Sequence, residues 1–195
     1  MSDALQGGRK IRILTLIDDF NRECLAVRVG ISMPSEYVCR ILEEVMEVKG
    51  KPNRIRTDNG PEFTSEYYTK WMKRMHVEPI YIQPGQPAQN GYIERFNRTY
   101  REDVLDRYLF DEIRQAQVLS EEWQEDYNYG HPHQSLGGMT PIGYKISRRK
   151  EKDSSESVKA KINDELTHTL THSSALTDSP ESNLLDAKQN FKPII

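Results

Sequence analysis

Cysteine and long apolar segments are scarce in this sequence, and each scarcity excludes a class of protein. The two cysteines, Cys24 and Cys39, are too few for a disulfide framework and lack metal-ligand spacing, which favours a reducing compartment. No apolar run reaches the roughly 18 residues that a membrane-spanning helix needs, and residues 1–12 contain no signal-peptide hydrophobic segment. We therefore expect a cytoplasmic protein, neither embedded in a membrane nor built as a secreted disulfide scaffold.

A low apolar share and an uneven charge distribution divide the chain into two parts. Only 36% of the 195 residues are hydrophobic, which is low for a chain that packs completely. Residues 1–150 carry 22 basic and 22 acidic side chains, whereas residues 151–195 carry 5 and 8, so the net charge of -3 lies in the second part. We predict a folded domain at residues 1–145 and a polar, mostly disordered tail at residues 146–195, with a weak helix near 158–170 as an alternative.

Hydrophobic periodicity predicts strands followed by helices in the folded part. The predicted strands are residues 1–5, 11–17, 24–31, 54–57 and 79–82, of which the first is expected to be the end of a longer strand. The predicted helices are residues 34–50, one helix from Ser65, one from Asn90 and one at residues 113–129. This order indicates an α/β protein with a mixed five-stranded sheet flanked by helices, in which the first strand is incomplete.

Two carboxylates stand at positions where ligands commonly gather. Asp58 follows directly after a short predicted strand, and Glu94 lies in the first turn of a predicted helix. Each has a structural explanation when taken alone, because Asp58-Asn59-Gly60 is a favourable turn and the helix dipole favours an acid at the position of Glu94. Together, two such carboxylates can hold divalent metal ions that act on phosphate substrates.

The charges around these acids favour a partner that carries phosphate. Residues 49–101 contain ten basic and five acidic side chains, a local excess inside a neutral domain. Arg98 and Arg101 lie four and seven positions after Glu94, hence on its face of the helix, where they can hold backbone phosphates. A solvated helix face is the alternative explanation.

Two histidine pairs and several missing motifs limit the kinds of active site that the sequence can contain. His131/His133 and His168/His172 have no cysteine or third ligand nearby, so we do not expect a metal site at either pair. The sequence contains no G-x-S-x-G, Walker or dinucleotide-binding motif. The paired acids are therefore the main chemical feature of the sequence.

Five stretches of this sequence resemble the catalytic core of bacterial insertion-sequence transposases. They are residues 17–23 (IDDFNRE), 56–63 (RTDNGPEF), 83–99 (QPGQPAQNGYIERFNRT), 127–128 (YN) and 136–141 (LGGMTP). The group that they resemble is the one whose second reading frame encodes a retroviral-integrase-like domain with Asp, Asp and Glu in its active site. Asp58 and Glu94 have 35 residues between them, the interval that defines this group. The resemblance covers residues 1–145.

The resemblance implies a ribonuclease-H-like fold and an active site of three carboxylates that binds two Mg²⁺ or Mn²⁺ ions. Asp58 would be the second acid and Glu94 the third, and Arg95, Arg98 and Arg101 on the same helix would contact DNA. Metal ions about 3.5–4 Å apart would activate water or a DNA 3′-hydroxyl for in-line attack on a phosphodiester. The implied partners are element-end and target DNA and further copies of the chain, in a nucleoid-associated homo-oligomer.

The first acid of the family pattern has no counterpart in this sequence. Its position falls a few residues before Met1, while Asp18 and Asp19 match a different family feature at the end of the second strand. The helix-turn-helix region that reads the terminal repeats is also missing, so we expect an N-terminally truncated chain that is inactive in DNA cleavage and joining. Two alternatives stay open: a non-catalytic remnant that binds DNA or partner transposase subunits, and a ribonuclease-H-like nuclease that acts on other nucleic acids.

Overall fold

A nine-residue strand, Lys10–Asp18 (β2), lies at the centre of the sheet in the computed structural model, which describes residues 1–83, 90–170 and 193–194. The other strands are Ser2–Ala4 (β1), Cys24–Gly30 (β3), Arg54–Thr57 (β4), Glu78–Tyr81 (β5) and Pro193–Ile194 (β6). β2 pairs antiparallel with β3 along one edge and with β1 and β6 along the other. β6 also pairs parallel with β4, which pairs parallel with β5, so β6 joins the two halves of the sheet.

This mixed sheet confirms the predicted α/β architecture but has one strand more than the five expected. The four predicted strands between residues 11 and 82 match β2, β3, β4 and β5 to within one residue at either end. The predicted strand end at residues 1–5 corresponds to the three residues of β1. β6 was not predicted, because two residues carry no periodic pattern and this strand is held by its neighbours rather than by its own sequence.

Six α-helices flank the sheet in the described part of the chain. They are Ser35–Lys49 (α1), Pro61–Thr64 (α2), Glu66–Arg74 (α3), Gly91–Tyr100 (α4), Ile113–Gly130 (α5) and Pro141–Leu170 (α6). A π-helical turn, Arg101–Leu105, extends α4, and a 3-10 turn, Gln134–Leu136, precedes α6. α3 begins where it was predicted, because the Oγ of Ser65 accepts a hydrogen bond from the backbone N–H of Tyr68 at 3.1 Å.

The core has two layers because both faces of β2 are buried. Leu14 and Leu16 belong to a cluster with side chains of α1 and α3, including Trp71. Ile17 belongs to the cluster on the opposite face, which contains Phe96 of α4 and further aromatic side chains of α5. α1 and α3 therefore cover one face of the sheet, and α4 and α5 cover the other.

Ion pairs of Glu23, which precedes β3, connect the beginning of α6 to the sheet domain. Its side chain is 1% exposed and accepts hydrogen bonds from Lys49 Nζ at 2.7 Å and Lys145 Nζ at 2.8 Å. Burial by itself raises the pKa of Glu23, but the two lysines outweigh it and hold that pKa below its usual value. Asn21 Nδ2 also donates to the carbonyl of Pro141 at 3.2 Å. The beginning of α6 is therefore tied to the segment between β2 and β3.

The predicted boundary at residue 145 falls inside α6, whose helical backbone continues to Leu170. The sequence had indicated mostly disorder there, but Lys, Arg and Glu are good helix formers, and Arg148 pairs with Glu151 at 2.7 Å. The remainder of the predicted tail at 171–192 lies outside the described residues, so the division into domain and tail stays a prediction. Across the described ranges, no helix is both long and apolar enough to cross a membrane.

Candidate functional site

Asp58 lies at the exposed end of β4, in the position that the sequence predicted. Ile55 and Thr57 of this strand are buried. Asp58 follows Thr57 and therefore points to the other side of the strand, where it is exposed. The Oδ1 atom of Asp58 accepts a hydrogen bond from the backbone N–H of Gly60 at 2.8 Å. The residue therefore shapes a tight turn and still presents a carboxylate at the surface, so the structural and functional explanations are compatible.

A second carboxylate, Glu62, converges on Asp58 across Gly60. A Cβ atom added to Gly60 would lie 2.9 Å from Asp58 Oδ1 and 3.0 Å from Glu62 Oε2, so both oxygens lie close to this glycine. Glu62 is held by Arg12 of β2, with 3.0 Å between the Nη2 and Oε1 atoms. Sequence reasoning passed over Glu62, although it lies in the same RTDNGPEF stretch as Asp58.

The α-amino group of Met1 lies near these two acids. It donates a hydrogen bond to the carbonyl of Ile13 at 2.8 Å, which places it on the edge of β2 that also pairs with β1. Burial lowers the pKa of this ammonium group, and Arg12 lowers it further, while Asp58 and Glu62 act in the opposite direction. The acids at the end of β4 therefore face the edge of β2.

Glu94 is exposed on the first turn of α4, as the sequence predicted. Ile93 and Phe96 are buried on either side of it, so α4 turns its apolar side to the sheet and Glu94 away from the core. One turn further, Asn97 Oδ1 accepts a hydrogen bond from the Oγ1 of Thr15 on β2 at 2.8 Å. This bond fixes the middle of α4 over the centre of the sheet.

The strand register relates Asp58 to the part of β2 under α4. Ile194 of β6 is paired with Ile17 on one side and with Arg56 on the other. Thr15 precedes Ile17 by two positions and Asp58 follows Arg56 by two, so both lie beyond the same end of the β6 pairing, on the two strands that β6 joins. We call the strand position between β2 and β4 the central slot. Asp58 borders the central slot from β4, and α4, with Glu94 on its first turn, is tied to the opposite side at Thr15.

The three predicted DNA-contacting arginines have different surroundings. Arg95 and Arg98 are exposed on α4. The guanidinium group of Arg101 instead donates to the carbonyl of Ser2 at 2.9 Å and lies 3.5 Å from carboxylate oxygens of Asp3 and Asp106. Arg101 therefore connects the end of α4 to β1 in this structure.

Asp18 and Asp19 have structural partners at the end of β2. Burial raises the pKa of Asp18 to about 6, and its Oδ1 accepts a hydrogen bond from the backbone N–H of Phe20 at 2.9 Å. Asp19 forms ion pairs with Arg22 at 3.2 Å and with Arg56 at 3.4 Å. These contacts hold the turn between β2 and β3.

The donor chemistry fits a hard divalent cation, but the described residues do not assemble a complete ligand cluster. Asp58, Glu62 and Glu94 offer carboxylate oxygens, which Mg²⁺ and Mn²⁺ prefer. Among the side chains described for residues 1–83 and 90–156, no group of three or more His, Cys, Asp or Glu is gathered closely enough to hold a metal ion. The loop between β5 and α4, which separates the two predicted acids along the chain, lies partly outside the described residues.

The fold is that of retroviral integrase catalytic cores. The structure of the HTLV-2 integrase catalytic core domain in complex with magnesium, in its dimeric form, is similar to this chain with a TM-score of 0.56 and 20% sequence identity. The likeness covers 74% of this chain and 90% of that chain. At this identity the likeness shows the fold alone, and it confirms the predicted ribonuclease-H-like class.

Sequence comparison identifies the family within this class. Two family profiles, each described as an integrase core domain, match residues 2–87 and 75–141. The uncharacterized 39.2 kDa protein of insertion element IS476 from Xanthomonas euvesicatoria is 39% identical over 147 residues, which cover 75% of this chain and 42% of that protein. The uncharacterized 31.7 kDa protein of insertion element IS407 from Burkholderia multivorans is 36% identical over 151 residues, covering 77% and 54%.

The chain belongs to the insertion-sequence transposases with an integrase-like catalytic core. This confirms the resemblance drawn from the motifs around Asp58 and Glu94. The chain spans about half the length of these two insertion-element relatives.

Proposed function

We propose that this chain acts on DNA as the catalytic core of an insertion-sequence transposase, with Asp58 and Glu94 as ligands for divalent metal ions. The observation that supports the proposal best is the placement of these residues around the central slot. Asp58 borders the slot from β4, and the bond between Thr15 and Asn97 fixes the helix of Glu94 over the same part of β2.

The residues of the chain have separate tasks in this proposal. Asp58 and Glu94 would hold the ions, which when bound supply Lewis acidity toward a phosphodiester and activate the attacking oxygen. Glu62, close to Asp58 and anchored by Arg12, keeps the turn at Gly60 in place.

Exposed arginines of α4 position the DNA. Arg95 and Arg98 would contact backbone phosphates without reading bases, because guanidinium groups pair with phosphate oxygens of any sequence. Arg101 is a weaker candidate for a DNA contact, since its guanidinium group already bonds β1 and Asp106. Phosphate contacts from α4 would bring the scissile bond next to Glu94.

A non-catalytic role is the second candidate, and the incomplete acid cluster favours it. Asp58 and Glu94 are two of the three carboxylates that the resemblance implies, and the described residues bring no third one into a metal-binding group. A chain of this kind would bind DNA or partner transposase subunits without cutting. A ribonuclease-H-like nuclease that prefers other nucleic acids remains the third candidate.

The metal assignment is tested by titrating the 195-residue chain with Mn²⁺ and detecting the bound ion through the relaxation rate of water protons. We expect Asp58→Asn and Glu94→Gln each to weaken Mn²⁺ binding about tenfold, because each removes one ligand charge and keeps the side-chain shape. Glu66→Gln is the matched control, since this carboxylate is 81% exposed on α3 and pairs with Lys70. Wild-type affinity in both site variants would overturn the assignment.

Cleavage and joining assays separate the three candidate functions. With Mg²⁺ or Mn²⁺ we expect the chain to bind duplex DNA and to be inactive in cutting and joining, because two carboxylates are too few to hold a metal pair. Inactivity with Mn²⁺ bound at Asp58 and Glu94 would favour an incomplete catalytic core, whereas inactivity without Mn²⁺ binding would favour the non-catalytic role. Robust cutting and joining of DNA would establish that another acid completes the site and would exclude the non-catalytic role. Faster cleavage of an RNA–DNA hybrid than of duplex DNA would favour the nuclease.

The proposed substrate also defines the partners. Element ends and target DNA would place the protein at the nucleoid in the cytoplasm. The similar HTLV-2 core was solved in a dimeric form. We propose that several copies of this chain likewise cooperate in the working complex, which light scattering with and without DNA would measure.

A further inference from the structure

Next to the first turn of α4 lies a group of basic and aromatic side chains that the proposed metal site does not use. The guanidinium carbon of Arg22 lies 3.3 Å from the centroid of the Tyr92 ring, a close cation–π contact. Tyr92 is two positions before Glu94, so this contact joins the turn between β2 and β3 to the beginning of α4. The Nε atom of Arg22 is buried and has no hydrogen-bond partner.

Two histidines that follow α5 join the same group. The ring centroids of His131 and His133 lie 5.1 Å apart, and both rings pack on Tyr127, at 5.5 Å and 5.1 Å. The Nε2 atom of His133 is buried and has no hydrogen-bond partner. A buried polar atom without a partner is costly, which makes it a good indicator of a missing ligand.

The charges that act on His133 are all positive. Burial, together with the positive charges of His131, Arg95 and Arg22, lowers the pKa of His133 to about 4. Tyr127, on which both histidines pack, also lies edge-on against Phe96 of α4, with ring centroids 5.0 Å apart. This contact brings the histidine pair to the helix that carries Tyr92 and Arg95. Asp19 pairs with Arg22 and also with Arg56, so its charge is shared between two guanidinium groups.

We propose that Arg22, Arg95, His131 and His133 form a binding subsite for a DNA backbone phosphodiester beside Glu94. A phosphate oxygen would accept hydrogen bonds from the Nε–H of Arg22 and from the Nε2–H of the His133 ring, the two buried atoms that lack partners. Arg95 would add a charged contact from the exposed side. The role of the subsite rests on the proposed function, because it would hold DNA next to the metal-binding acids.

The subsite is tested on the full chain with inorganic phosphate and with a thymidine dinucleotide, followed through the imidazole NMR signals. We expect both probes to shift the His131 and His133 signals in a saturable way. The pKa of His133 should rise by about one unit, since a nearby anion favours the charged imidazole. His76, which follows α3 on the opposite face of the sheet, is an internal reference. Shifts that fail to saturate or that His76 shows equally would mean non-specific anion binding and would overturn the proposal.

Variants separate the subsite from general charge effects. Arg95→Gln, at an exposed helix position, should weaken phosphate binding about tenfold through loss of one charge-assisted contact. His133→Phe keeps the ring that packs on Tyr127 and should abolish the response of His131 to phosphate. Lys73→Gln on α3 makes the same charge change elsewhere and should have no effect. Equal losses in Lys73→Gln and Arg95→Gln would overturn the proposal.

The two proposals can fail separately. Asp58→Asn should weaken Mn²⁺ binding and keep phosphate binding at the histidine pair, whereas Arg95→Gln should weaken phosphate binding and keep Mn²⁺ binding. Phosphate affinity that is unchanged in Arg95→Gln and in His133→Phe would remove the subsite and leave the metal assignment intact.

Discussion

Replacing Glu23 by Gln removes the charge from the most buried ion-paired carboxylate described in this chain. The Glu23 side chain is 1% exposed, whereas those of its partners Lys49 and Lys145 are 33% and 44% exposed. Removing one partner of a buried pair costs about 3–5 kcal/mol, and because both lysines keep contact with water we expect about 3 kcal/mol. For a chain of this size that corresponds to a fall in Tm of roughly 6–12 °C.

The pH dependence of this effect has a definite sign. The folded-state pKa of Glu23 is lowered, so its contribution to stability is fully present above the unfolded pKa of about 4.5 and is lost as the pH falls through the lower folded value. The difference in Tm between wild type and Glu23→Gln should therefore be largest near pH 7 and shrink towards pH 3. Thermal unfolding followed by circular dichroism at pH 7, 5, 4 and 3 measures it.

A surface pair supplies the control for this experiment. Glu66 and Lys70 form an ion pair at 2.7 Å on α3, but their side chains are 81% and 74% exposed. Glu66→Gln should change the free energy of unfolding by less than about 0.5 kcal/mol, because exposed pairs are screened by solvent. Equal losses of Tm in the two variants, or a loss for Glu23→Gln that is the same at pH 3 and pH 7, would refute the argument from burial.

Three further variants test other parts of the structure. Gly60→Ala should reduce Mn²⁺ affinity with little change in Tm, because its Cβ would press against the flexible carboxylate of Asp58. Gly91→Ala is the control: no atom lies within 4 Å of its new Cβ, so Mn²⁺ affinity should stay unchanged. Asp18→Asn should raise stability at pH 7 by up to about 3 kcal/mol, because the raised pKa of Asp18 penalises its ionised form. Wild-type stability should fall as the pH rises from 4 to 6, and this fall should be smaller in the variant; an unchanged pH profile would contradict the argument. Ile194→Pro should remove amide protection from the neighbouring ends of β2 and β4, since proline lacks the N–H of the ladder, whereas Ile194→Val should keep it; hydrogen exchange measures both.

The sequence predicted the elements that carry their own pattern. The strands from β2 to β5 and the helices α1, α3, α4 and α5 have apolar residues at the period of their secondary structure, so local sequence was sufficient. Asp58 and Glu94 could be singled out because their motifs and spacing are specific to a family. Their role as metal ligands stays a prediction.

The remaining features depend on residues far apart in the chain. Arg101 was expected to face DNA, but it bonds Ser2, 99 positions earlier, and this contact leaves no signal in the local sequence. The docking of α6 depends in the same way on Lys145 reaching Glu23 across 122 positions. Only the folded sheet brings these groups together, so periodicity and motifs could not predict them.

The central slot links the continuity of the sheet to the proposed metal site. On this edge of β2, the described pairings are those of β1 with Lys10 to Arg12, the bonds between Met1 and Ile13, and those of β6 with Ile17 and Asp18. The interval between the Met1 bonds and the β6 pairing is the part of the slot that Asp58 borders from β4. The backbone of β4 is joined to β2 through β6 alone among the described strands. Loosening β6 should therefore let Asp58 move relative to Glu94, and Ile194→Pro should lower Mn²⁺ affinity together with amide protection. Lost protection with unchanged Mn²⁺ affinity would show that the acids are positioned independently of the sheet.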